Sequence, residues 1–515
     1  MPDYMYLLES RLTAEQRAVL VRVVELAQVH EANIYLTGGA VRDLVSGMAI
    51  RDLDFVVEGN PLRIARELEK GGARVIEEDE DRRFVELVFH GDVDGSLAAA
   101  REEVYEHPGA KPQIRFATIL DDLRRRDFSI NAIALSLNPA SRGLLLDPTN
   151  GLADIERREI RLLSMHGFTN RPSRLLRALR FAARLGYALE ERTAGWFDLA
   201  IDREHHLNIP AADITEEVHQ VGREDNAAAV LKSWEEHDLL EVVHPKFRAR
   251  KPDYKGLDAL MKAREELMAV NRRARLAAAT LYYTFGRFSR VERNNALKQL
   301  GLRAAEVESV AELEDHADTA VKMLASAKLK DPRLAYDTLE KMPTETIAFV
   351  LTYTRQSMVL TRIRAYLAKW KPLRGVLPVA QLDALGVDRG PKFDEVLEKF
   401  FTLQLRGRVR RVEDTERILR NLAGIKPEPK KKAKPEKKGK EAPAGRAAAL
   451  AAGAKKVPMP AAVPGGQKAA GAPAARPAAA AEKKPLAAKA AAASHSGPAK
   501  KPAQKEAQQK DKRKR

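Results

Sequence analysis

A chain of 515 residues with no cysteine has room for three or more domains with buried cores; it excludes a disulfide scaffold and a Cys-ligated zinc, and it fits a reducing, cytoplasmic setting. Its net charge of +17 points to a polyanionic partner, yet the excess is local: residues 426–515 hold 24 Lys/Arg against 6 Asp/Glu, which leaves residues 1–425 close to neutral. No uncharged apolar run of about 18 residues occurs, so no membrane span is expected, and the early acids of the N-terminus do not make a secretory signal.

In chain order, apolar spacing predicts a helix over Leu12–Val29. The stretch Tyr35–Val57, YLTGGAVRDLVSGMAIRDLDFVV, then reads as strand, Gly-Gly turn, short helix and second strand. Gly38 and Gly39 lack a Cβ, so the backbone can approach a phosphate and turn its N–H groups toward it. Arg42 adds a bidentate donor for phosphate oxygens. Asp52 and Asp54 are two apart on a strand-like segment and leave one face, a geometry for holding one or two Mg2+ ions shared with substrate phosphates. A Gly-Gly or an Asp-x-Asp alone is an ordinary turn or strand end. In this order, without the Lys of a P-loop or the third glycine of a dinucleotide fingerprint, they point to a metal-dependent site for a nucleoside triphosphate.

Further along, Leu62–Leu68 reads as a helix, and Ala73–Ile76 and Phe84–Phe89 as strands around a solvated acidic turn, EEDEDRR. Ser96–Ala100 reads as another strand, and EEVYEHPGAKPQIRFATI as a long loop. In RRRDFSINAIALSL, Asp127 opens a strand-like run with Arg125 and Arg126 before it. LLDPTNGLADIERREI is a turn in which Asp147, Asn150 and Asp154 have structural roles. Thr169–Thr193 reads as a helix opened by Pro172, with Arg171, Arg174, Arg177, Arg180 and Arg184 forming a ridge, ordinarily a solvated face. Residues 195–425 are helical in pattern, with core stripes at Leu276–Tyr283 and Val350–Leu367. His237-Asp238 lacks the further ligands of a metal phosphohydrolase. Gly390-Pro391 opens a helix whose N-terminus, beside Lys392, suits an RNA phosphate or serves plain packing. From Lys426 the Lys/Ala/Pro composition predicts disorder, either a nonspecific tether to nucleic acid or a solubilising extension.

The order of these signatures resembles the bacterial (class II) tRNA nucleotidyltransferase and poly(A) polymerase family over Ile34–Tyr187, and more loosely over Leu382–Ala423. The family motif Arg-Arg-Asp-Phe-Thr-Ile-Asn-Ala differs here only at Ser129. The resemblance implies an α+β protein: a mixed-sheet nucleotidyltransferase head (1–160), a helical neck (161–225), a helical RNA-binding body and tail (226–425) and a disordered extension (426–515). It implies that Asp52 and Asp54 hold Mg2+, that Gly38, Gly39 and Arg42 seat the triphosphate, and that Arg126 and Asp127 handle ribose and phosphates. Arg174 would contact the base, with Arg177 also in the nucleotide site.

The implied reaction moves CMP or AMP from CTP or ATP to the 3′-hydroxyl of tRNA. Two departures stand out. The base template, Glu-Asp-Pro-x-Arg in the family, begins here with Asn170 and Arg171, and arginine has no acceptor to replace the carboxylate. The third potential metal ligand aligns with Ser96, with Asp92 and Asp94 a register change away. A poly(A) polymerase and a non-catalytic RNA-binding paralogue are the alternatives.

Overall fold

Local chemistry sets the first elements in the computed structural model, which describes residues 3–104, 113–409 and 411–425. A short helix α1 (Tyr4–Arg11) precedes α2 (Ala14–Val29), which opens on a capping box between Thr13 and Gln16. The same Gln16 side chain donates to the Ile50 carbonyl at 3.0 Å, fixing the approach to the Asp52 segment. Then follow β1 (Asn33–Thr37), α3 (Gly39–Ser46), β2 (Leu53–Glu58), α4 (Leu62–Lys70), β3 (Arg74–Asp79), β4 (Phe84–Phe89) and β5 (Val93–Ala99). A two-stranded ribbon, β6 (Arg101–Val104) with β7 (Gln113–Phe116), leads to α5 (Ile119–Arg124), β8 (Ala134–Ser136) and β9 (Leu145–Leu146).

These strands make a seven-stranded sheet in the order β3-β4-β5-β2-β1-β8-β9. It is mixed: β2 and β5 run parallel, and the other neighbours are antiparallel. Register puts Asp54 beside Ser96 and Ser96 beside Glu86. Along β5, Val93, Gly95, Leu97 and Ala99 are buried while Asp94, Ser96 and Ala98 are only half-buried, the period-2 signature of a sheet with one core face and one open face. Phe55, Leu87 and Leu97 join Val23 and Leu68 in the main core. The carboxylates face the other way.

Three expectations shift. Glu77–Asp79 extend β3 rather than turning, because they pair with β4. The flanks of the expected long loop pair as β6 and β7, and its centre, residues 105–112, lies outside the described residues. Asp127 does not open a strand: a 3-10 turn at Ser129–Asn131 intervenes, since Thr37 pairs with Ala134.

After the sheet come α6 (Gly151–Arg157), β10 (Glu159–Ile160), α7 (Gly167–Asn170), α8 (Arg174–Leu185), β11 (Ala188–Leu189), α9 (Glu191–Asp202) and α10 (Ala211–Arg223). The single helix expected over Thr169–Thr193 is therefore broken at both ends. Pro172 forces the residue before it out of helical geometry, and Arg171 sits at φ −138°, ψ 86°; Gly186, left-handed at φ 67°, ends α8. From Ala227 on the described chain is helical as expected, with helices such as Ala277–Thr284, Thr344–Tyr353 and Pro391–Leu405, the last opened by Gly390-Pro391. Leu382, Phe393, Val396, Phe400 and Leu419 form a small core of their own. Among the described residues no helix is long and apolar enough to cross a membrane. The basic stretch from Lys426 lies outside the described residues.

Candidate active site

Gly38 caps α3 at φ 64°, ψ −127°, a conformation that side chains disfavour. A Cβ there would stand 3.3 Å from Arg126 Nη1, so the bare turn also lets that guanidinium lie over it. Arg126 is held on all sides: Nη1 donates to the Asn131 carbonyl at 3.0 Å, Nη2 to Thr37 Oγ1 at 3.2 Å and to Asp122 Oδ2 at 2.9 Å. Asp122, fully buried on α5, also receives Arg125. Gly38→Ala is expected to lower stability by about 1–3 kcal/mol, the cost of holding a side chain in a sparsely populated positive-φ region, and, by displacing Arg126, to weaken triphosphate binding; thermal unfolding and nucleotide titration check both.

Asp52 and Asp54 border one cleft of about 1060 Å³ together with Gly38, Gly39, Asp94 and Ser96. Asp54 Oδ1 accepts from Ser96 Oγ at 2.7 Å, so the residue aligned with a third carboxylate braces the second one instead. Asp52 forms no hydrogen bond among the described residues. Burial, and then the Asp54 charge, push its carboxyl up to about 6; burial also raises Asp54 although Ser96, Arg126 and Arg42 pull the other way. Two crowded, half-buried oxygen donors suit a hard dication. No group of three acids or histidines able to hold a metal occurs among the described residues, so the chain would supply two ligands and substrate phosphates or water the rest.

Arg42 behaves differently from expectation. It is only 2 % exposed, with Nε on Asp43 Oδ1 at 2.9 Å and Nη1 on Asn131 Oδ1 at 2.7 Å, so its donors brace the turn from beneath.

The arginine ridge of α8 is likewise not a solvated face. Arg177 Nη1 donates to Asp127 Oδ2 at 3.1 Å and Nε to Glu217 Oε1 at 2.7 Å. Arg180 donates to Glu217 Oε2 at 2.9 Å and to Glu224 Oε1 at 3.1 Å, and Arg184 reaches Asp43 at 2.8 Å. Sequence reasoning missed these acids. Glu217 on α10 and Glu224 at its C-cap lie seven apart, around buried Val218 and Val221, and an acid on an apolar helical face was the available signal.

Asp127 also accepts from the Phe128 N–H at 2.7 Å. Burial pushes its carboxyl up, but Arg177, Arg174 and that N–H together hold it at about 2. A folded value below the unfolded one contributes stability that is complete above the unfolded range and lost as pH falls through the folded value. Acid titration of unfolding should therefore show on the order of 2 kcal/mol disappearing between about pH 4 and pH 2, and Asp127→Asn should remove that component.

The segment Asn170–Ser173 borders the cleft opposite the sheet residues. Asn170, Arg171 and Ser173 border the same cleft as Asp52 and Asp54, and Arg171, Ser173, Arg174 and Arg177 line a recess of about 230 Å³ against Arg126 and Asp127. The structural roles expected downstream also hold: Asp147 accepts from the Gly151 and Leu152 N–H groups at 2.8 and 2.9 Å, and Asp154 from Arg161 Nε at 2.8 Å. His237 is a packing residue, its Nδ1 paired with the Ser233 carbonyl and its ring against Phe197.

Residues 34–161 match the family model described as "Poly A polymerase head domain". An A-adding tRNA nucleotidyltransferase of Halalkalibacterium halodurans is 36% identical over 217 residues, 42% of this chain and 50% of that protein. Another, from Geobacter sulfurreducens, is 24% identical over 428 residues, 82% of this chain and 48% of that protein. A CC-adding tRNA nucleotidyltransferase of Deinococcus radiodurans is 39% identical over 155 residues, 30% of this chain and 41% of that protein. The chain thus spans half or less of the length of each of these relatives.

Proposed function

We propose, from the premise that the head of this chain belongs to the bacterial tRNA nucleotidyltransferase and poly(A) polymerase family, that it adds CMP or AMP, from CTP or ATP, to the 3′-hydroxyl of tRNA in the cytoplasm without a nucleic-acid template. One observation carries the reading: the Gly38-Gly39 turn, the Asp52/Asp54 pair and the Asn170–Ser173 template segment open on one cleft. A nucleotide in that cleft has its triphosphate at the turn and carboxylates, and its base toward α8.

Asp52 and Asp54 would hold Mg2+, which would supply charge neutralisation on the triphosphate and lower the pKa of the attacking hydroxyl. The rest of the work falls to the chain. Asp52 presents uncommitted oxygens, and Ser96 orients Asp54. Gly39, at the start of α3, offers its backbone N–H to a phosphate oxygen, while the Gly38 N–H is held by the Ile133 carbonyl at 3.3 Å and its missing Cβ lets the phosphate approach, with Arg126 alongside and Arg42 bracing the turn. Asp127 and Arg177, locked together, give the ribose and phosphates a fixed edge, and Arg174 donates to the base. Pre-organisation of this kind keeps the cost of ordering out of the reaction step.

The test is incorporation on tRNA lacking its 3′ terminus, with each of the four nucleoside triphosphates offered separately and together. Addition of A alone, CC or CCA supports the proposal, and relatives named for adding A or CC favour such a limited product. A long A tract would make the chain a poly(A) polymerase. No incorporation, with RNA bound in a steeply salt-dependent way, would make it a binding paralogue.

A further inference from the structure

The template segment needs an acceptor that position 171 does not supply. A and C each present an exocyclic amine, a donor, beside a ring nitrogen, an acceptor. Arg171 and Arg174 serve the ring nitrogen, and a guanidinium cannot accept from the amine. The two carboxylates that line the recess, Glu103 and Asp127, are taken by arginines. Asp127 is held by the Phe128 N–H and Arg177, and Glu103 Oε1 receives Arg101 and Arg125. On α10, Glu217 is taken by Arg177 and Arg180, whereas Glu216 has one oxygen on Gln220 of its own helix and, among the described residues, no hydrogen bond to the 170–173 segment.

Asp213 is the α10 carboxylate joined to the Asn170–Ser173 segment itself. It stands in the first turn of α10 and borders the cleft with Asn170, Arg171 and Ser173. Ser173, inside the template segment and 5% exposed, donates its hydroxyl to Asp213 Oδ2 at 2.6 Å, the short distance of a charge-assisted bond. The other carboxylate oxygen forms no hydrogen bond among the described residues. A buried hydroxyl has thus fixed the orientation of a carboxylate and left one oxygen for a ligand.

We propose that Asp213, oriented by Ser173, is the specificity-determining acceptor for the exocyclic amine of the incoming base, replacing from a neighbouring helix the carboxylate that Arg171 displaced. The inference rests on the nucleotidyl-transfer reading and deepens it by assigning how the base is chosen. Its ligand class is the amine-bearing base, adenine or cytosine. Uracil has a carbonyl at the corresponding position and meets Asp213 with acceptor against acceptor.

The experiment uses the full chain in two assays: equilibrium binding of ATP, CTP and UTP without metal, so that no turnover occurs, and single-turnover incorporation of each with Mg2+ on tRNA lacking its 3′ terminus. For the wild type, ATP or CTP should be preferred over UTP. Asp213→Ala should reduce that preference by roughly ten- to a hundredfold, the worth of a hydrogen bond to a charged group. Asp213→Asn keeps one acceptor oxygen and the side-chain shape, so it should retain an intermediate preference; Ser173→Ala, which only frees the carboxylate to rotate, should lose less than Asp213→Ala.

An unchanged preference in Asp213→Ala overturns the inference, as does a wild type that binds UTP as well as ATP and CTP. The two assays separate this from the parent reading. Binding preference that depends on Asp213 in a chain that extends no RNA leaves the inference standing and removes the polymerase. RNA extension whose base preference survives Asp213→Ala does the reverse.

Discussion

Replacing both Asp52 and Asp54 with alanine is expected to lower nucleotide incorporation by roughly a thousandfold or more, because a metal's share of transition-state charge stabilisation is several kcal/mol and each 1.36 kcal/mol is tenfold in rate. RNA binding should persist, since neither carboxylate offers an RNA phosphate anything but repulsion. A second readout separates lost chemistry from lost folding. Burial and mutual repulsion hold the Asp52 carboxyl at about 6, above its ordinary value, so in the metal-free protein its charge opposes folding once pH exceeds the unfolded range. The double variant should accordingly unfold at a temperature no lower than the wild type near neutral pH. It should also lose the extra thermal stability that Mg2+ with a triphosphate confers on the wild type by mass action. Incorporation retained by the double variant would remove the metal assignment, and a collapsed melting temperature would mean that the pair is structural.

The strand–turn–helix–strand that carries this chemistry was legible because its determinants are local. A Gly-Gly turn, a period-2 alternation and an Asp-x-Asp at a strand start can each be read within a few positions, and β1, α3 and β2 fall where the residues put them. What the chain alone hid depends on partners far along it. Arg177 and Glu217 are 40 residues apart and Arg184 and Asp43 are 141 apart, so a ridge of arginines on one helix reads as solvated until α10 and α3 are packed against it. The bracing of Arg42 is hidden for the same reason, its Asn131 partner being 89 residues away. Ser173 is similar: nothing near it in sequence announces Asp213. The template departure at Arg171 was visible, but its structural complement was not.

The acid at the centre of that hidden network should give the largest stability loss of any single side chain considered. Glu217 is fully buried, with one oxygen on Arg177 and the other on Arg180, at 2.7 and 2.9 Å. Burial alone would raise its carboxyl, yet Arg180 and Arg177 hold it below the usual range, so the ion pairs outweigh the desolvation. Glu217→Ala leaves Arg180, itself 4% exposed, with only Glu224, and Arg177 with only Asp127. A buried charge stripped of a partner costs about 3–5 kcal/mol, to be read from denaturant unfolding. Glu217→Gln keeps the shape but can accept only at its single carbonyl oxygen and turns an N–H2 toward the second guanidinium, so it should fall nearly as far. Adding Arg180→Met to Glu217→Ala should restore part of the loss, because the uncompensated charge goes with it, and the resulting non-additivity measures the coupling directly. Where Glu217→Ala remains folded at low temperature, nucleotide affinity should drop as well, since Arg177 is then free to swing away from Asp127. A change in unfolding free energy of under about 1 kcal/mol, the range of a solvent-exposed ion pair, would instead mean that water reaches this layer and that the arginines of α8 are the solvated ridge their spacing first suggested.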